Sequence, residues 1–87
     1  MFEVDISPAA TRDIKKLSKK YRADIAIILK YLHELEQFPS ISSLVHLTNH
    51  EYEYRRRVGK FRIFFDVDKD ARIIIVGRVE RRSDHTY

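Results

Sequence analysis

Cysteine and tryptophan are absent from this chain of 87 residues, and glycine and proline occur twice each. Without cysteine there is no disulfide framework, no thiolate zinc site and no thiol chemistry. Two separated glycines, Gly59 and Gly77, make neither a glycine-rich phosphate loop nor a nucleophile elbow. Long hydrophobic runs are missing too. The longest, Ile25–Leu29 and Ile73–Val76, fall far short of a bilayer span. The opening Met1-Phe2-Glu3-Val4-Asp5 lacks the charged segment and apolar stretch of a secretory signal. The expectation is a cytoplasmic protein without membrane contact. What remains is 44% hydrophobic and 34% charged, a globular composition and not a disordered one. Its length suits one domain over residues 1–87.

Negative charge is scarce in one part of the chain only. Residues 1–54 carry seven Lys/Arg against eight Asp/Glu, a net of −1, whereas residues 55–87 carry ten against five, a net of +5. The excess of base is therefore local. It predicts a cationic surface on the C-terminal part, suited to a polyanion and equally compatible with ordinary solvation.

The periodicities predict α+β organisation. Phe2, Val4 and Ile6 alternate with Glu3 and Asp5, as in a strand with one buried face. Ser7-Pro8 starts a helix, Ser as N-cap and Pro at the first helical position. Ala10, Ile14, Leu17 and Tyr21 form its apolar stripe, and Arg12, Lys15, Lys16, Lys19 and Lys20 its basic face. A second helix begins near Arg22 or Asp24, with Ile25, Ile28, Leu29, Leu32 and Leu35 as its stripe, and stops before Pro39. A loop follows, with a short strand around Leu44–Leu47. Strands at 52–58, 61–67 and 72–79 complete the chain, the last taking a central place because Ile73–Val76 is apolar on both faces. The expected fold is an N-terminal strand, a two-helix hairpin, then an antiparallel sheet of three to four strands with the helices on one face.

Within it, "YEYRRRVGKFRIFFDV", Tyr52 to Val67, crowds five basic residues around one glycine. Gly59-Lys60 reads as a two-residue hairpin turn. That register sets Val58 opposite Phe61, Arg57 opposite Arg62, Arg56 opposite Ile63 and Arg55 opposite Phe64. One face then holds Tyr54, Arg56, Val58, Phe61, Ile63 and Phe65, with Arg56 near enough to the turn to reach solvent. The other holds Arg55, Arg57, Arg62 and Phe64. Facing Arg57 with Arg62 opposes like charges across strands, which costs stability. Three guanidinium groups held together at that cost point to a bound anion; the plainer reading is a solvated basic edge.

This stretch resembles the hairpin of the RelE/ParE toxin superfamily, with its Tyr-Arg-x-Arg-Val-Gly segment, aromatic-Arg pair and apolar strand. "ERRSDHTY", Glu80 to Tyr87, is similar to that family's ending, and the strand and helical hairpin match its architecture. The resemblance implies a toxin of a type II toxin–antitoxin system. In the RelE branch that is an endoribonuclease cutting mRNA in the ribosomal decoding site, without metal or cofactor. In the ParE branch it is an inhibitor of DNA gyrase. An inactive relative that only binds RNA or its antitoxin is a third reading. On the RelE reading the partners are mRNA, the ribosome and a cognate antitoxin, encoded by a neighbouring gene, in a hetero-oligomer. By resemblance Arg55 and Arg57 are the paired basic residues, Arg62 contacts the phosphate, Arg81 stabilises the transition state or donates a proton, and Tyr87 is a base or stacking surface. Lys60 and Arg82 extend the RNA contacts. His85, two residues before Tyr87, departs from the pattern and suits general acid–base work. Elsewhere, Glu51, Glu53 and Glu80 are expected to pair with neighbouring arginines, and His50 is a reserve candidate to line the site. His46 and His50 are spaced i,i+4 but lack a third ligand, so no metal is expected.

Overall fold

The computed structural model describes residues 1–82. Its elements are β1 (Glu3–Ile6), α1 (Pro8–Lys20), α2 (Ile25–Glu34), β2 (Leu44–His46), β3 (Tyr54–Val58), β4 (Phe61–Asp68) and β5 (Ile73–Arg81), with 3₁₀ turns at Arg22–Asp24 and Leu35–Gln37 flanking α2. The strands form one sheet in the order β1-β5-β4-β3-β2. β5–β4–β3–β2 is antiparallel throughout, as its short connections dictate. β1 instead pairs parallel with β5, from Glu3 opposite Ile73 to Ile6 opposite Val76. The sheet is therefore five-stranded and mixed. The apolar run at the start of β5 needs a neighbour on both sides; β4 supplies one and β1 the other.

Ser7 closes this junction. Its Oγ accepts from the Ala10 N–H at 3.1 Å, capping α1, and donates to the Gly77 carbonyl at 3.2 Å. Past Ile6 the edge of β5 is no longer covered by β1. There Asp13 of α1 accepts from the Val79 N–H at 2.9 Å and from Arg78 through Nε and Nη2 at 2.8 and 3.2 Å. These bonds lay α1 along the uncovered end of β5.

The helices bury one face of the sheet. Ala10, Ile28, Leu32 and Leu35 pack with Phe2 and Phe38 against Phe61, Ile63, Phe65, Ile74, Val76 and Val79. Phe38 meets Phe2, Tyr54 and Phe65 edge to face. Leu29 does not belong to this core. It is 53% exposed, because the stripe of α2 runs through Ile25, Ile28, Leu32 and Leu35, and Leu29 lies a quarter-turn off it.

Arg56 is on the core face, as the alternation requires, but it does not reach solvent. It is 3% exposed. Its Nε donates to the Ser42 carbonyl at 3.2 Å, Nη1 to the Tyr31 carbonyl at 3.0 Å and Nη2 to Ser42 Oγ at 3.2 Å. Glu34 Oε1 lies 2.7 Å from Nη2, and the Tyr31 ring lies under the guanidinium. A cation fully wrapped in acceptors is tolerated inside; it ties β3 to α2 and to the loop before β2. Among the described residues, no helix is long and apolar enough to cross a membrane.

Candidate nucleic-acid interface

The face of the sheet turned away from the helices is built by the β3–β4 hairpin. Gly59 takes a φ of +56°, which a side chain would resist, and so permits the tight turn. Register follows as the turn predicts: Val58 opposite Phe61, Arg57 opposite Arg62, Arg55 opposite Phe64. Arg62 lies in turn opposite Glu80, and Phe64 opposite Arg78. Two cross-strand rows result, Arg57-Arg62-Glu80 near the turn and Arg55-Phe64-Arg78 behind it.

Arg55, Arg57 and Arg62 are brought together and left uncommitted. None of their guanidinium groups has a hydrogen bond or ion pair among the described residues, and Nε of both Arg55 and Arg62 is shielded from water without a partner. Unsatisfied shielded donors are uncommon in native folds and call for a reason. Glu80, although opposite Arg62, lies outside ion-pair distance of it. Glu53 is not paired with an arginine either. Its Oε1 accepts from the Val67 N–H at 2.8 Å while its own N–H donates to Asp66 Oδ1 at 2.8 Å, so the carboxylate extends the β3–β4 ladder. Lys60 and Arg82 lie exposed at the hairpin tip, where the Arg82 N–H donates to the Lys60 carbonyl at 2.6 Å.

Arg81 does not join this group. It stands opposite Phe61 and so on the helix side of the sheet. Its guanidinium lies 3.8 Å above the Tyr21 ring, and Nε is 3.9 Å from Asp24 Oδ2. His85 and Tyr87 lie outside the described residues.

Three rings complete the face: Tyr52 and Phe64 from the stretch Tyr52 to Val67, and His50, which precedes it. His50 stacks on Phe64, centroids 5.3 Å apart and planes 5° from parallel. Tyr52 leans on both, 6.0 Å from Phe64 and 6.2 Å from His50. His50 Nδ1 accepts from the Tyr52 N–H at 3.1 Å, which places the proton of a neutral imidazole on Nε2. Partial burial raises the Tyr52 phenol above its ordinary range; Glu51 adds to the shift and Arg78 opposes it. Tyr52 fits because β5 bulges at Gly77, where a side chain would overlap the phenol ring. The bonds that Arg78 donates to Asp13 raise its guanidinium still further and keep it out of the uncommitted set. His46, at the end of β2, instead packs at a tilt of 42° against Tyr54, on the core face, so the two histidines serve opposite sides of the sheet.

Chemically, the face offers cations for phosphate and flat rings for a base, the pairing that single-stranded nucleic acid uses.

A family model described as ParE toxin of type II toxin–antitoxin system, parDE, matches residues 4–86. No curated protein sequence matches the chain. Solved structures share the fold. The chain is similar to the toxin–antitoxin complex RelBE2 from Mycobacterium tuberculosis at 21% identity and TM-score 0.78, over 93% of this chain and 98% of that one. The archaeal RelE–RelB complex from Pyrococcus horikoshii matches at 19% identity and TM-score 0.74, over 97% and 98%. The isolated E. coli RelE toxin matches at 18% and 0.72, over 99% and 89%.

Proposed function

The chain belongs to the ParE/RelE superfamily of toxins of type II toxin–antitoxin systems, and from that premise we propose that it is a metal-independent endoribonuclease acting on mRNA in the ribosomal decoding site. The observation that carries this reading is the cluster of Arg55, Arg57 and Arg62, held against like-charge repulsion with no acceptor among the described residues. In the reaction the 2′-OH of one nucleotide attacks the adjacent phosphorus. The new P–O2′ bond forms as the P–O5′ bond breaks, leaving a 2′,3′-cyclic phosphate and a 5′-hydroxyl. A base takes the 2′-OH proton and an acid delivers one to the departing O5′. Arg55, Arg57 and Arg62 hold the phosphate and offset the charge of the phosphorane, the kind of preorganised electrostatic stabilisation that usually contributes most. The proton transfers are assigned to His85 by the acid–base chemistry of its imidazole and to Tyr87 by resemblance. Arg81 is assigned charge stabilisation in the same way, and from the helix side of the sheet it would have to swing round the tip of the hairpin to act there.

A cognate antitoxin is the second partner. The relatives from M. tuberculosis and P. horikoshii were crystallised as toxin–antitoxin complexes. For this chain we expect co-purification with the product of a neighbouring small gene. The matching family model favours a second reading, inhibition of DNA gyrase in the ParE manner. Primer extension on mRNA after induction separates the two. Discrete breaks within translated codons are expected, with Arg62→Ala reducing them about 10²–10³-fold while remaining folded. Intact mRNA with stalled DNA replication would instead establish the gyrase reading.

A further inference from the structure

We infer that His50, backed by Phe64 and braced by Tyr52, is a stacking subsite for one nucleobase of single-stranded RNA. The inference deepens the ribonuclease reading and rests on it. Phe64 projects from the face of the sheet that no helix covers, yet it is only 8% exposed, because His50 and Tyr52 close over it. His50 itself is exposed, and among the described residues its only ring contacts are with Phe64 and Tyr52. Its orientation is set in advance by the parallel contact below and by the bond from the Tyr52 N–H to Nδ1. A preset ring loses little freedom on binding.

Position supplies the second half of the argument. Phe64 has Arg55 opposite it on β3 and Arg78 opposite it on β5. Arg78 is locked to Asp13, whereas Arg55 is uncommitted. The Phe64 ring on which His50 stacks therefore lies one strand spacing from a guanidinium with no acceptor among the described residues. A nucleotide needs both, a surface for its base and a cation for its phosphate. An acidic protein segment would engage the arginines but has no use for an imidazole held parallel to a phenylalanine. If the rings served only to shield Phe64, their removal would alter stability and leave base preference untouched.

The test uses the full chain and a 2′-O-methyl oligoribonucleotide, which lacks the attacking hydroxyl and stays intact, alongside versions carrying one abasic site moved along its length. The wild-type protein should bind the parent at least about tenfold more tightly than one of the abasic versions. His50→Ala should bind these two alike. His50→Phe, which keeps a ring and loses Nδ1, should retain the preference, separating stacking from folding defects. Arg62→Ala should weaken both by the same factor. Wild-type protein that binds the parent and every abasic version equally refutes the subsite while the ribonuclease reading stands, as does His50→Ala with its preference intact. Binding to none of the oligonucleotides overturns the RNA reading and the subsite together.

Discussion

Arg56 and Arg57 are one backbone step apart and leave β3 on opposite faces, one into carbonyls and a carboxylate, the other into water. Replacing Arg56 with Ala removes the partner of the half-exposed Glu34 and strands the Tyr31 and Ser42 carbonyls. We expect a loss of about 3 kcal/mol. Arg57→Ala relieves a like-charge pair and should change stability by no more than about 0.5 kcal/mol. Urea midpoints at unchanged m-value measure both, and a larger loss at Arg57 would overturn the assignment of faces. Tyr52 adds a pH dependence. Its pKa is raised on folding, so the neutral phenol is favoured in the native state. That contribution is fully present below pH 10, the ordinary value, and is lost as pH rises through the higher folded pKa. Ultraviolet titration should show a late tyrosine that is absent from Tyr52→Phe. The arginine faces were legible in the sequence because alternation from a fixed turn assigns every side chain. The fate of Arg56 was not, because its acceptors come from Tyr31, Glu34 and Ser42, far off in the chain.

Among the elements, the hairpin β3–β4 was the most readable, since Gly59-Lys60 sets the register of all that follows. The edges of the sheet were the least. β1 is four residues long, and nothing in its alternation tells which strand it will join or in which direction. The ring cluster was hidden for a related reason. Continuing the alternation of β3 backwards from Tyr54 sends Tyr52 to the core side, but β3 begins only at Tyr54, and the bend before it carries Tyr52 to the open face. The bulge that receives Tyr52 gives a prediction at this scale. Gly77→Ala should push the ring off β5, cost about 1–3 kcal/mol, and return the late tyrosine to an ordinary titration. A variant with unchanged stability and the same late tyrosine would show that the bulge does not seat the ring.

The whole molecule, 38 × 26 × 23 Å, is electrically lopsided. Arg55, Arg57, Lys60, Arg62 and Arg82 occupy the hairpin and its tip, and Glu53, Asp66, Asp68 and Asp70 surround the opposite turn between β4 and β5. Such separation orients a protein approaching a polyanion. If the three uncommitted arginines each neutralise a phosphate of single-stranded RNA, log affinity should fall with log salt at a slope of about −2. A flat dependence would leave the basic face without a nucleic-acid role. The parallel seam between β1 and β5 bears on a different matter, the order of assembly during synthesis. α1, α2 and the β3–β4 hairpin are local and can form as they emerge, but β1 has no neighbour until residue 76 has been made. Contacts of such sequence separation form late. A protein proposed to cut messages on the ribosome thus has its sheet closed only after β5, some seventy residues downstream of β1, has been made.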